Sequence, residues 1–71
     1  MYALAPRLTN REQEVLSLVA SGHTDRKVAE ILAISRRTVN RHMSNIFLKL
    51  AVPSRAAATA YAVRCGFVRI Y

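Results

Sequence analysis

Apolar residues return every three or four positions in four stretches of this chain, the spacing that gathers them on one side of an α-helix, and no stretch reads convincingly as a strand. Val15, Leu16, Leu18 and Val19 mark the first stripe, and Val28, Ala29 and Leu32 a shorter second one. Val39, Met43, Ile46 and Leu50 form the third, and Ala58 and Ala62 the fourth.

The residues between the stripes set the boundaries. Thr9 and Glu12 have capping-box spacing, and Gly22 suits the left-handed position that ends a helix. Thr24 caps the second helix, with Asp25 at its positive end; Ser35 caps the third, Pro53 forbids its continuation, and Ser54 caps a fourth closed by Gly66. The expected helices cover about 10–21, 25–32, 36–50 and 55–65. A short helix joined to a long one by about three residues is the arrangement of a helix-turn-helix. The expected fold class is all-α, a four-helix bundle forming one domain over 1–71, with a short tail FVRIY.

Composition narrows this further. Hydrophobic residues make up 52% of 71, too many for a disordered chain, and no apolar run approaches the roughly 20 residues of a membrane span. A core this small supplies only about 3 to 5 kcal/mol, so a staple or partner is expected. The lone Cys65 cannot form an internal disulfide, which leaves oligomerisation. MYALAPR has no charged leader region before the first cap, and together with the cysteine usage this points to the cytoplasm.

Charge is divided unevenly. Residues 1–30 balance Arg7, Arg11, Arg26 and Lys27 against Glu12, Glu14, Asp25 and Glu30. Residues 31–71 hold Arg36, Arg37, Arg41, Lys49, Arg55, Arg64 and Arg69 with no acid, and so carry all of the net +7. A neutral half beside an acid-free half points to a scaffold with a polyanion-binding surface.

The third helix concentrates that signal. With Val39 at 0°, its apolar stripe lies within about 40°, while Arg37, Arg41 and Ser44 fall between roughly 140° and 200°, flanked by Asn40 and Asn45. Arg36 and Arg37 occupy the first turn, where the helix dipole disfavours a cation by roughly 0.3 to 1 kcal/mol. A face merely solvated has no need of that placement; a face that meets phosphate does. Arginine can pair with guanine, asparagine with adenine, and serine with either. Asn40, Arg41 and Ser44 are the expected base readers, with Arg37 on bases or on the flanking backbone.

The fourth helix has small or apolar residues on two sides, and one core can cover only one of them. The side with Ala57, Ala60, Tyr61 and Arg64 is expected to form a homodimer interface that sets two third helices about one DNA turn apart.

The stretches "LTNREQEVLSLVASG", "TDRKVAEILAISRRTVNRHMSNIFLKL" and the "SRA" that follows resemble the LuxR/GerE-type helix-turn-helix domain of bacterial transcription regulators over residues 8–68. The resemblance implies a four-helix bundle that dimerises on double-stranded DNA through its last helix and inserts its third into the major groove. It puts Asn40, Arg41 and Ser44 in base-facing slots, and Thr24, Arg26, Ser35, Thr38 and Lys49 at positions that hold or approach phosphate. Lys27, Arg36 and Asn45 beside them join the expected phosphate contacts.

Three positions depart from the family pattern. Asn40 stands where lysine is frequent, and Asp25, where asparagine is frequent, can repel a phosphate or simply cap its helix. Ala51 replaces the usual glycine, at a cost on the order of 1 kcal/mol if that position is left-handed. Such domains normally follow a regulatory domain, so this chain is either an excised effector domain or a small free-standing regulator.

His42 reads as a packed boundary residue, Cys65 as packing, and His23 as a loop residue. No metal site, cofactor or catalytic constellation is expected, and Glu12 and Glu14 point to different sides of their helix. The rival readings are a module whose basic face meets an acidic protein such as RNA polymerase, a basic amphipathic membrane binder, and an RNA binder.

Overall fold

The computed structural model describes residues 8–66; the opening MYALAPR and the tail FVRIY lie outside them. Four helices follow in order: α1 (Asn10–Ala20), α2 (Asp25–Leu32), α3 (Arg36–Leu50) and α4 (Arg55–Arg64). The second and third match the expected ranges. The first and fourth end one residue early, because Ser21 and Cys65 serve as caps rather than as the last helical residues.

Every helix opens on a hydroxyl. Thr9 and Thr24 Oγ1 accept from the N–H of Glu12 and Lys27, both at 3.1 Å. Ser35 and Ser54 Oγ accept from Thr38 and Ala57, at 3.1 and 3.2 Å. The Thr9 N–H in turn donates to Glu12 Oε1 at 3.0 Å, completing the capping box.

The first three helices close alike. His23 N–H reaches Leu18 O at 3.1 Å, Ile34 N–H reaches Ala29 O at 3.0 Å, and Val52 N–H reaches Phe47 O at 3.1 Å. This six-to-one bond needs a left-handed residue just before its donor. Gly22 fills that place after α1 with φ 103°, but Ala33 and Ala51 fill it after α2 and α3 with φ 57° and 55°. The following Ile34 and Val52 pack against the core, which holds each alanine in its corner. Ala51→Gly and Ala33→Gly are each expected to raise stability by up to about 1 kcal/mol, read as a higher urea midpoint; a lowered midpoint would show that glycine's extra freedom in the unfolded chain outweighs the relief.

The core gathers Leu8, Val15, Leu16 and Val19 with Val28 and Ala29 of α2, Val39, Met43 and Ile46 of α3, and Ala58 and Ala62 of α4. α1 packs against all three other helices, and α2 packs against α3. Leu18, Leu32 and Leu50, expected inside, sit half-buried at its edge. With its apolar stripe held this way, α3 has its other side turned outward.

Candidate nucleic-acid interface

The outward side of α3 carries Arg37, Asn40, Arg41 and Ser44, all exposed, while Val39, Met43 and Ile46 behind them are buried. The first turn of α3 holds no acid, and Arg36 and Arg37 are exposed at that end. Ser35 and Thr38 share a hydroxyl contact at 2.9 Å there; Ser35 is exposed and Thr38 half-buried. Asn45 is half-buried beside the stripe.

The start of α2 offers a second polar edge. Thr24, Arg26, Lys27 and Glu30 line an open depression. Arg26 and Lys27 each lie 3.7 Å from Glu30, well exposed, so these pairs hold the cations only weakly. Asp25 is committed elsewhere: its Oδ1 accepts from Arg55 Nη1 at 2.7 Å, and Arg55 Nη2 donates to His23 O at 3.2 Å. The carboxylate that could repel a phosphate is thus paired within the fold, and it ties α4 to the start of α2.

Lys49, expected to approach phosphate, is paired within the domain. Its Nζ donates to Glu12 Oε1 at 2.8 Å, bridging α3 to α1 across 37 residues of sequence. The Glu12 side chain is 5% exposed and that of Lys49 32%. Burial pushes the Glu12 carboxyl up, but the Lys49 bond, the Thr9 N–H and the charges of Lys49 and His42 together outweigh it and hold it below its ordinary 4.5. The Lys49 charge is therefore matched inside the domain.

On α4, Ala58 and Ala62 face inward, and Ala60 and Arg64 are exposed on another side. Ala57 is half-buried, and so is Tyr61, which packs on its own core with the Arg64 guanidinium 5.9 Å from its ring centre. Burial first, then Cys65, pushes the Tyr61 phenol above its ordinary 10.0, and Arg64 acts against them. Ala56 and Val63 are exposed on this helix and were not foreseen. His42 and the free Cys65 are half-buried.

Residues 6–62 match the family described as bacterial regulatory proteins, luxR family. The chain belongs to that family. It is a DNA-binding regulatory domain of the helix-turn-helix class, as the resemblance implied. It is 42% identical over 69 residues to the uncharacterized response regulatory protein YgeK of Escherichia coli, covering 97% of this chain and 47% of that protein. It is 41% identical over 63 residues to the transcriptional regulatory protein DegU of Brevibacillus brevis, covering 89% and 27%. With the transcriptional regulatory protein LnrK of Bacillus subtilis it shares 48% over 59 residues, covering 83% and 27%. The chain thus spans from about a quarter to about half the length of these relatives.

Among the described residues no cluster of His, Cys, Asp and Glu could hold a metal ion, and no helix is long and apolar enough to cross a membrane. Leu48, 79% exposed on α3, is the residue of this surface that the sequence reading passed over. Its place on the helical wheel, about 180° from Val39, was the available signal.

Proposed function

We propose that this domain binds a specific sequence of duplex DNA as the effector part of a bacterial transcription regulator, with α3 in the major groove. The observation that carries the reading is the exposed, acid-free side of α3, where Arg37, Asn40, Arg41 and Ser44 stand out from a buried apolar stripe. A groove about 12 Å wide admits one helix, and the side chains on its protruding line reach the base edges. Asn40, Arg41 and Ser44 read bases, with Arg37 at the entry. Thr24, Arg26, Lys27, Ser35, Arg36, Thr38 and Asn45 line the path of the backbone.

A second copy completes the reading. The exposed Ala60 and Arg64, with the half-buried Ala57 and Tyr61, leave α4 a side that a partner can cover. Two copies joined there read half-sites about 34 to 36 Å apart. One protein per palindrome in sedimentation with operator DNA would count against this pairing.

Selecting bound sequences from a random duplex library tests the whole reading, and Arg41→Ala tests its centre. The substitution is expected to cost about 1 to 3 kcal/mol on the selected site and to relax preference at one base pair. An equal loss on every sequence would make Arg41 a phosphate contact instead.

A further inference from the structure

Leu48 is the most exposed of the large apolar side chains among the described residues. It does not stand at random. Arg37, Arg41, Ser44 and Leu48 follow one another at four-, three- and four-residue steps down one side of α3, so a ligand lying along the first three meets the fourth. At ~1.5 Å per residue, Leu48 lies about 6 Å beyond Ser44 along the helix axis.

The chemistry of that line restricts what Leu48 can meet. Its companions are cationic or hydrogen-bonding, and residues 31–71 contain no acid, so the surface complements a polyanion. A leucine has no donor or acceptor with which to read one. In the major groove the C5-methyl of thymine is the apolar group a base pair presents. A methyl pressed against Leu48 leaves water on both sides of the contact.

We propose that Leu48 is a specificity-determining residue that reads a thymine methyl at the outer end of the site bound by α3, an inference that rests on the DNA-binding reading above. The contact discriminates thymine from cytosine at one position and is indifferent to the rest of the site. It adds an apolar reader to a face otherwise built of hydrogen-bonding groups.

The test uses the full chain and a duplex selected from a random library. Each thymine is replaced in turn by deoxyuridine, which removes the methyl and leaves the pairing edge intact, and affinity is measured for the unaltered protein and for Leu48→Ala. Alanine at an exposed helical position favours the helix, so folding is not at stake, and far-ultraviolet circular dichroism checks it. The expected result is one thymine per half-site whose replacement weakens the unaltered protein about fourfold, the worth of one buried methyl, and leaves Leu48→Ala unchanged. If the duplex binds and depends on Arg41, yet no thymine shows an effect that Leu48→Ala removes, the inference is overturned while DNA binding stands. An equal loss on all sequences with Leu48→Ala would make it a backbone contact and overturns it too. If no duplex is enriched at all, the DNA-binding reading itself fails.

Discussion

Lys49→Met is expected to remove most of the domain's stability at neutral pH and 25 °C, whereas Glu12→Gln is expected to be far milder. The asymmetry comes from burial. Removing Lys49 strands a carboxylate that is 5% exposed, while removing the carboxylate leaves an ammonium already 32% exposed and able to turn to water. Breaking a buried pair in the first way costs about 3 to 5 kcal/mol, and the Thr9 N–H that still donates to Glu12 keeps the loss near the lower end. That is comparable to the whole stability of a core this small, about 3 to 5 kcal/mol. Glutamine keeps the acceptor that Thr9 needs.

The double variant should then resemble Glu12→Gln alone, since no buried charge remains. Urea unfolding followed by circular dichroism distinguishes the cases; equal single losses that simply add would mean that the pair contributes little. The same pair sets the acid limit. Glu12 is held below its ordinary 4.5, so its contribution is fully present above that value and is lost as pH falls through the lower folded value. In Lys49→Met the lowering partner is gone while burial still pushes the carboxyl up. Protonating that carboxyl relieves the stranded charge, so the stability gap between the variant and the unaltered protein should narrow as pH falls.

Salt should weaken DNA binding steeply. Arg26, Lys27 and Arg36 are exposed cations on the proposed backbone path, and Arg37 at the entry, also exposed, is counted with them as a contact to the flanking backbone. Each phosphate neutralised contributes about −0.9 to the log-log slope, so these four give about −3.6 per protomer. A rise from about 50 to about 200 mM salt then weakens binding on the order of a hundredfold per protomer, and a dimer doubles the exponent. Lys49 is left out because Glu12 already holds it; a slope near −4.5 per protomer would mean that it leaves Glu12 for a phosphate on the DNA. A slope near zero would remove phosphate contact from the account.

What could be read from the chain beforehand was whatever is local. The caps at Thr9, Thr24, Ser35 and Ser54 depend on residues three apart, and all four form. The inward and outward sides of α3 follow from helical period alone. The left-handed corner at Ala51 was foreseen as a possibility because a glycine was expected there; the one at Ala33 was not, since alanine carries no turn signal. The pairs Lys49 with Glu12 and Arg55 with Asp25 join residues 37 and 30 apart, and no local pattern announces such a meeting. They engage Lys49, an expected phosphate contact, and Asp25, which stood where it could repel a phosphate. Tyr61 shows the same limit: it was grouped with the outward side of α4, yet it is half-buried and packs against the core.

The hydroxyl that opens α2 has one more chemical option. The Thr24 oxygen receives the Lys27 amide through a lone pair, and a hydroxyl engaged in that way still carries a hydrogen of its own to give. A phosphate oxygen settling at this corner could take that hydrogen without loosening the first turn. Gripping and releasing the double helix would then cost the threonine no rearrangement, whereas valine, equal in shape, would forfeit the cap and the grip in a single change.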